Sequence, residues 1–377
     1  MARRSNNEGS IYKRADGLWA GAITLPGGKR KVVYGKSRQG VGEALIAALR
    51  DVQLGILLPT ADARQTLGQF LTHWLEEVVK PNLRPKTYVT YRDVCHLHII
   101  PALGSRRLTK LSPQELITFY HAELEQGFSP RMVGHIHRVL HRSLEDAVRW
   151  QLIPRNVCGL VDSPRVSKVE MKALNAEEAR RFLEAAQGEP MEALFVLALT
   201  TGMRQGELLG LKWADMDMIQ GIIHVRRSLA RITGKGFVEQ EPKTAKGRRT
   251  ISLTPMATQA LQEYRRRQLE ARLLAGGEWE DRNLVFCNAL GRPMEVTNLI
   301  RRHFHPLLKK AGLPRVRFHD LRHSCASLLL SMNAHPKVVQ ELLGHSTISV
   351  TMDTYSHTVP SLQVEAVNGL DKLLRGR

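Results

Sequence analysis

The fold is indicated first by the stretch Thr201-Gly202-Met203-Arg204-Gln205-Gly206-Glu207-Leu208. It predicts a glycine-containing turn followed by the start of a short helix, in which the arginine and the glutamate lie one helical turn apart. A second stretch, His319-Asp320-Leu321-Arg322-His323, places its first histidine three residues from its arginine, and hence on one helical face. A third, Leu342-Leu343-Gly344-His345, ends a predicted helix at glycine, and Tyr355 follows ten positions later. Arginines, histidines and a tyrosine therefore succeed one another along the C-terminal half of the chain.

Cleavage of a phosphodiester without metal or ATP requires a nucleophile, cations around the nonbridging oxygens and an acid for the leaving oxygen. The C-terminal half contains side chains of each kind. Each fragment alone is common, because most arginines beside a turn form surface ion pairs and most buried histidines and tyrosines are structural. Only the ordered set points to phosphodiester chemistry.

Taken together, the motifs TGMRQGEL, HDLRH and LGH with a downstream tyrosine resemble the tyrosine recombinase family, or phage integrases, across the entire catalytic domain. The resemblance implies a site-specific DNA recombinase that cuts and rejoins DNA through a 3'-phosphotyrosine intermediate and a four-way junction. It assigns catalytic roles to Arg204, His319, Arg322, His345 and the nucleophile Tyr355. The other six tyrosines precede the HDLRH motif, so only Tyr355 fits the family's order.

The family's catalytic lysine lies on a mobile strand hairpin between the two arginines, and the corresponding segment here is Glu241-Pro242-Lys243-Thr244-Ala245-Lys246-Gly247-Arg248-Arg249. Lys243 is the predicted lysine and Lys246 the alternative, although a flexible basic loop that touches phosphates explains both without catalysis. In the implied roles Lys243 protonates the departing 5'-oxygen, His345 hydrogen-bonds a nonbridging oxygen and His319 assists proton transfer at the tyrosine. The arginines suit this site because a guanidinium binds two phosphate oxygens and keeps its charge.

Composition favours a polyanionic partner. The 377 residues include 55 lysines and arginines against 36 acidic residues, a formal net charge of +19, so double-stranded DNA is the expected ligand. The four cysteines are scattered without a CxxC pair, and no metal or other cofactor is expected. No apolar run approaches the length of a membrane span, so a cytoplasmic, nucleoid-associated protein without membrane contact is expected.

The N-terminal region predicts a small sheet followed by a helix. Alternating residues between 10 and 36, with turn signals at Asp16-Gly17 and Gly27-Gly28, favour three short strands, and a helix is expected from about Val41 to Gln53. The sheet segment could lay a basic face against a DNA groove, or it is only a solubilising lobe. The basic side chains in question are Lys13, Arg14, Lys29, Arg30, Lys31, Lys36 and Arg38.

A four-helix region is expected next, beginning with the amphipathic stripe after Thr66 and interrupted by Pro81 and Pro85. Ser112 and Ser129 each precede a first-turn proline and are predicted helix N-caps, the former in a capping box with Glu115. The remaining predicted helices run from Thr87 to His98, Pro113 to Gln126 and Pro130 to Gln151. After a linker around Pro164, a mixed domain is expected, with a helix start at Asn175 and three short strands between Gly221 and Leu253.

The predicted fold class is therefore multidomain and mainly α with small β-sheets. Residues 1–60 form an N-terminal three-stranded sheet plus helix, similar to the arm-type DNA-binding domain of integrases. Residues 64–160 resemble the four-helix core-binding domain, and residues 172–377 the mixed, mainly helical catalytic domain with a C-terminal tail helix from Ser361 to Leu374.

An arm domain indicates the integrase of a phage or other mobile element. The resemblance further implies core-type and arm-type DNA sites, a homotetramer on DNA, and an accessory directionality factor and host DNA-bending protein. Two other classes stay open from sequence: a type IB topoisomerase, which relaxes DNA by similar chemistry without strand exchange, and a noncatalytic DNA-binding regulator.

Overall fold

The structure is a computed structural model that describes residues 10–24, 30–53, 64–167, 172–241 and 247–349, together with residues 352, 367, 368, 370, 371, 374 and 375. Contacts divide the chain into two compact units, Met1–Lys168 and Val169–Arg377. Each unit has hydrophobic cores of its own. Among the described residues, no helix has both the length and the apolar composition needed to cross a bilayer.

The first unit begins with the predicted sheet and helix. Strands β1 (Ser10–Lys13), β2 (Trp19–Thr24) and β3 (Arg30–Gly35) pair antiparallel in sequence order, and α1 (Arg38–Gln53) follows them. The helix starts three residues before the predicted Val41, because Ser37 already caps it through Gly40 N–H and the carbonyl of Ser37 accepts from Val41. A small core of Ile23, Leu45 and Ala48 joins helix to sheet.

A helical region completes the first unit. Its helices are α2 (Leu67–Trp74), α3 (Lys80–Asn82), α4 (Pro85–Val94), α5 (Ile100–Leu103), α6 (Pro113–Glu125) and α7 (Pro130–Arg149). The predicted caps at Ser112 and Ser129 are confirmed, and Glu115 closes the capping box with Ser112. The core is anchored by the buried Trp74, whose indole N–H donates to Asp146 on α7 at 2.8 Å.

The predicted break at Pro81 is wrong, as is the predicted helix end at His98. A π-helical stretch, Leu75–Val79, carries the chain past Pro81 to Asn82, and a second, Cys95–Ile99, carries it past Pro101 to Leu103. A proline lacks an N–H and its ring collides with the carbonyl four residues earlier in a regular α-helix. The wider π turn just before each proline accommodates that ring, so the helix bends rather than stops.

The second unit is mixed but mainly helical, which confirms the predicted fold class. Its first helices are α8 (Ala176–Ala186), α9 (Glu192–Thr201) and α10 (Gln205–Leu209), and its later ones are α11 (Pro255–Ala275), α12 (Val296–Asn298), α13 (His305–Lys310), α14 (Asp320–Ser331) and α15 (Pro336–Leu343). Asn175 caps α8 in a capping box with Glu178, as its position before an acidic first turn predicted. A third π-helical stretch, Leu299–Phe304, again precedes a proline, Pro306.

Two small sheets lie between α10 and α11. Strands β4 (Met216–Asp217), β5 (Ile222–Val225) and β8 (Arg249–Ser252) form one antiparallel sheet, and β6 (Ser228–Ile232) pairs with β7 (Gly236–Gln240) in the other. The described residues between Gly221 and Leu253 thus hold four strands and not the predicted three. The additional one arises because a tight turn with Gly234 and Gly236 at positive φ folds β6 and β7 into a hairpin of their own.

Helix α9 is the centre of the second unit. It is apolar on all sides and packs against α11 and α14, with Phe195 in an aromatic cluster that includes Phe182 and Phe304. Because α9 is enclosed by core, its C-terminal residue, Thr201, holds the following turn at a fixed place. That turn carries the first of the predicted site residues, Arg204.

Candidate active site

The turn after α9 depends on Gly202. This residue ends the helix in the left-handed region, with φ of 59°, and a Cβ added there would lie 2.4 Å from Cδ2 of Leu343 on α15. Glycine is therefore needed both for the backbone conformation and for the close approach of α15. The chain then turns through Met203 and presents Arg204 as the N-cap of α10.

Glu207 holds Arg204 through both the side chain and the backbone. Arg204 Nη1 donates to Glu207 Oε1 at 2.7 Å, and the Arg204 backbone N–H donates to Oε2 at 3.0 Å. The Glu207 side chain is 4% exposed, whereas that of Arg204 is 42% exposed. Glu207 thus braces Arg204, while the arginine keeps a face toward solvent.

Arg322 lies in the first turn of α14 and is 3% exposed. Its Nη1 donates to the carbonyl of Gly202 at 2.7 Å, and its Nη2 donates to the carbonyl of Leu343 at the same distance. One guanidinium therefore ties the end of α9 to the end of α15. These charge-assisted bonds hold Arg322 at the C-terminal end of α15.

Three arginines from three elements donate to three consecutive carbonyls, which we call the α15 carbonyl end: Leu342, Leu343 and Gly344. Arg249 Nε reaches Leu342 O at 2.6 Å, Arg322 Nη2 reaches Leu343 O at 2.7 Å, and Arg204 Nη2 reaches Gly344 O at 3.2 Å. The last carbonyls of a helix have no intrahelical partner and carry its negative dipole end, so they attract cations. The helix end thereby gathers the arginines into one cluster.

His345 follows the α15 carbonyl end directly. Gly344, with φ of 66°, turns the chain in the left-handed region, after which the His345 backbone N–H donates to Gln340 O and the Gln340 amide donates back to His345 O. Burial, and then the charges of Arg322 and Arg204, lower the pKa of His345 to about 4. The ring is therefore neutral at pH 7, and its electrostatic partners are the predicted arginines.

His319 occupies the N-cap position of α14, just outside the helix that carries Arg322. The predicted placement of both residues on one helix is thus corrected by one position, since the helix begins at Asp320. Burial, and then the charge of Arg322, lower the pKa of His319. Its ring meets that of His323 edge to face, with centroids 5.1 Å apart. Asp320 is buried and accepts from the Arg317 backbone N–H and guanidinium, which is a structural role.

The structure thus brings together four of the six predicted site residues, namely Arg204, His319, Arg322 and His345. The other two, Lys243 and Tyr355, lie outside the described residues, as do the alternative Lys246 and most of the predicted tail helix. The catalytic roles of all six stay predictions. Within the described part of the chain, no group of three histidine, cysteine or acidic side chains is placed to hold a metal ion.

Sequence reasoning missed Arg249, which stood in the basic run with the predicted lysines. Its side chain is 6% exposed and bonds both Glu207 and the α15 carbonyl end. No local pattern distinguishes it from its neighbour Arg248, whose side chain is 61% exposed. Its place at the start of β8 became evident only in the structure.

Models of two known domain families match the two units of the chain. The model of the phage integrase family matches residues 172–361, and that of the phage integrase N-terminal SAM-like domain matches residues 66–124. A protein named "Tyrosine recombinase XerC-like" from Caldanaerobacter subterraneus subsp. tengcongensis is 31% identical over 362 residues, which cover 91% of this chain and 92% of that protein.

Two solved structures share the fold. The integrase of the transposon Tn1549, in complex with a circular intermediate DNA, superposes with a TM-score of 0.66 at 24% identity, covering 81% of this chain and 99% of that one. A lambda integrase tetramer bound to a Holliday junction gives a TM-score of 0.56 at 20% identity, covering 90% and 96%. The family model matches half of the chain, and the 31% identical relative aligns over nearly the whole of it. The chain therefore belongs to the phage integrase family and is a tyrosine-type site-specific DNA recombinase.

Proposed function

We propose that this recombinase attacks a DNA phosphodiester with Tyr355, and that Arg204, Arg322, His345, His319 and Lys243 surround the reacting phosphate. The observation that supports the assignment is the α15 carbonyl end, where the two arginines meet next to His345. Residues that are far apart in sequence converge there on one small surface. A phosphate on that surface would meet two positive charges and a neutral imidazole.

The two arginines have different parts in this proposal. Arg204, with 42% of its side chain exposed, is the direct phosphate ligand, because its planar fork can bridge two nonbridging oxygens. Arg322 is enclosed, so it supplies positive charge from beneath and fixes the turn that presents His345. Charge held in place before the reaction stabilises the pentacovalent transition state without reorganisation.

The histidines act as neutral rings. With a pKa near 4, His345 is unprotonated at pH 7 and offers one ring N–H to a nonbridging oxygen. His319, whose pKa is also lowered, keeps an unprotonated nitrogen that can accept the phenolic proton of Tyr355. Burial first, and then the charge of Arg322, therefore keep both rings in the neutral form that the reaction uses.

The reaction is a balanced exchange of phosphoesters. The Tyr355 oxygen bonds to phosphorus as the bond to the 5'-oxygen breaks, and Lys243 gives that oxygen its proton. The products are a 3'-phosphotyrosine and a free 5'-hydroxyl. A 5'-hydroxyl of another strand then attacks the phosphotyrosine, so rejoining needs no external energy.

The three regions of the chain divide the work of DNA binding. We assign residues 172–377 to catalysis, residues 64–160 to the core site and residues 1–60 to arm-type sites. The sheet face bearing Tyr12 and Tyr34 supports the last assignment: both rings are exposed, and they flank the small Ala20 of the central strand. The Arg14 guanidinium lies 5.2 Å from the Tyr34 ring centroid, so the face is both aromatic and basic.

The proposed assembly is a homotetramer on two DNA sites that passes through a four-way junction, as in the lambda integrase tetramer on a Holliday junction. The enzyme would serve a phage or other mobile element within the cytoplasm, at the nucleoid. A directionality factor and a host DNA-bending protein are the accessory partners in this proposal. The tail from Ser361 to Leu374 would dock on a neighbouring protomer.

The test is a joining assay on the element's own sequences. Sequencing of the circular element and of its junctions with host DNA defines the two sites, which are then placed on separate plasmids. The purified chain, with a host-cell extract added as the source of accessory proteins, is expected to produce recombinant plasmids in buffer with EDTA and without added ATP. Relaxation of supercoils on plasmids that lack the sites, with no exchange, would indicate a topoisomerase. Site binding with neither reaction would indicate a regulator.

A further inference from the structure

The side chain of Arg249 is enclosed, and the hydrogen bonds described for it all go to protein groups. Its Nε donates to Leu342 O at 2.6 Å, its Nη2 to Glu207 Oε2 at 2.8 Å, and its Nη1 lies 3.4 Å from Gly247 O. With its side chain 6% exposed, it could meet a DNA phosphate only if these bonds were broken. Its function must therefore be exerted through the residues that it holds.

Glu207 is the residue that connects Arg249 to the site. One carboxylate oxygen, Oε1, accepts from Arg204 Nη1 at 2.7 Å. The other, Oε2, accepts from Arg249 Nη2 and from the backbone N–H of Arg204. An arginine beside an unshared carboxylate normally takes both oxygens in a two-bond fork. Here Arg249 occupies the oxygen that such a fork would use, and Arg204 Nη2 goes instead to Gly344 O at 3.2 Å.

The charge on Glu207 is shared in the same way. Burial acts to raise its pKa, but the ion pairs with Arg249 and then Arg204 outweigh burial and lower the pKa, so the carboxylate stays ionised. An ionised carboxylate that is 4% exposed attracts cations strongly, because little water screens it. Without Arg249, that attraction would fall on Arg204 alone.

We propose that Arg249 is a positioning residue for Arg204: by occupying Oε2 of Glu207 and balancing its charge, it prevents a closed Arg204–Glu207 fork and keeps Arg204 Nη2 at the Gly344 carbonyl, where it can meet the DNA phosphate. The proposal rests on the function proposed above for Arg204. The structural claim, that Arg249 keeps Arg204 Nη2 on Gly344 O and away from Glu207, applies to the chain with or without DNA.

The first arm of the test is structural and needs no DNA. Crystal structures of the full chain are compared for the wild type, Arg249→Met and the double variant Arg249→Met/Glu207→Gln. In Arg249→Met we expect Arg204 Nη2 to leave Gly344 O and bond Glu207 Oε2. In the double variant we expect it to return, since a neutral amide attracts a guanidinium far less. An Arg204 that stays on Gly344 O in Arg249→Met would overturn the proposal.

The second arm measures single-turnover formation of the covalent DNA adduct, at saturating concentrations of a nicked duplex that carries the element's junction sequence. We expect Arg249→Met to slow the reaction about 100-fold, the scale of a misplaced catalytic group, with an unchanged Kd for DNA. The double variant should recover about tenfold of that loss, as coupled residues do. The cleavage rate of Arg249→Lys should lie between those of the wild type and Arg249→Met, since lysine keeps the positive charge but lacks the planar guanidinium. A double variant no faster than Arg249→Met would overturn the charge-sharing argument.

Arg227→Met is the matched control, because Arg227 also pairs with a buried carboxylate of the second unit, Asp215, which is 1% exposed. We expect this control to lower the thermal midpoint and leave the cleavage rate unchanged. Equal loss of cleavage in Arg227→Met and Arg249→Met would show that the loss reflects stability alone. If the wild type forms no adduct, the proposed function fails, and the crystal structures still decide whether Arg249 positions Arg204.

Discussion

Arg204 and Arg322 donate to adjacent carbonyl oxygens, those of Gly344 and Leu343, at the end of one helix. Two like charges are brought to one place because each meets a backbone dipole that has no partner within the helix. One arginine stays exposed and the other is enclosed, and His345 follows at the next position. The end of α15 is therefore the element on which the proposed site is built.

Replacement of each arginine by methionine should separate catalysis from stability. Arg322→Met leaves the carbonyls of Gly202 and Leu343 without their charged donor, and should lower the free energy of unfolding by about 3 kcal/mol. Arg204→Met removes a half-exposed partner and should lower it by about 1 kcal/mol or less. Both should abolish cleavage. Urea titration and adduct formation measure the two effects, and equal destabilisation would contradict the different enclosure of the two side chains.

Gly202→Ala should damage the fold more than a glycine change without a neighbour. The left-handed backbone costs a non-glycine residue about 1–2 kcal/mol, and here the added Cβ would also collide with Leu343. Gly188→Ala is the control, because Gly188 has φ of 78° and nothing within 4 Å of the added atom. We expect Gly202→Ala to lose about 2 kcal/mol more in urea titration. Equal losses would mean that α15 does not approach this turn so closely.

The lowered pKa of His345 predicts a specific loss of stability in acid. Above pH 6.5 the ring is neutral in the folded and the unfolded chain, so it contributes no pH dependence. Between pH 6.5 and about 4 the unfolded chain takes up a proton on this ring and the folded chain does not. The free energy of unfolding therefore decreases as the pH is lowered through this interval. Below about 4 both forms are protonated and the effect ends.

The measurement is the urea midpoint at pH 7.5 and at pH 5 for the wild type and His345→Gln. The wild type should lose more stability over this interval than the variant, which has no ring to protonate. His323, whose pKa is also lowered to about 4 by burial and by His319, is present in both proteins, so the difference between the two falls reports the His345 ring and its interactions. An identical fall in the two proteins would contradict a half-buried His345 that is neutral at pH 5.

Lys243→Ala tests the proposed acid. Cleavage of ordinary DNA should become slow, because the departing 5'-oxygen receives no proton. Cleavage should recover when sulfur replaces the bridging 5'-oxygen, since a thiolate leaves without protonation. Lys246→Ala is the matched control and should cleave both substrates normally. Recovery in Lys246→Ala, and not in Lys243→Ala, would assign the acid to Lys246.

Much of this architecture was predictable because its signals are local. Capping residues such as Ser112 and Asn175 mark helix starts within four residues, and the alternation after Ser10 marks the first sheet. The order of the TGMRQGEL, HDLRH and LGH motifs indicated which side chains would meet. Their meeting place, a row of backbone carbonyls, could not be inferred, because carbonyls are the same in every residue.

Other features escaped because their causes are not local. Pro81 should end a regular helix, but the preceding π turn, which lies between the buried Trp74 and Val79, admits it. Arg249 resembles any arginine of a basic loop, since its partner Glu207 lies 42 residues away in the sequence. Such pairings are decided by tertiary structure, which a single sequence does not display.

The most direct test of the central claim is to identify the residue that becomes attached to DNA. A nicked duplex carrying the junction sequence is incubated with the full chain, and the trapped adduct is digested and mapped by mass spectrometry. We expect the DNA on the peptide that contains Tyr355, joined through a 3'-phosphate with a free 5'-hydroxyl released, and no adduct in Tyr355→Phe although that variant still binds the duplex. Attachment to any other residue, or an undiminished adduct in Tyr355→Phe, would contradict the account.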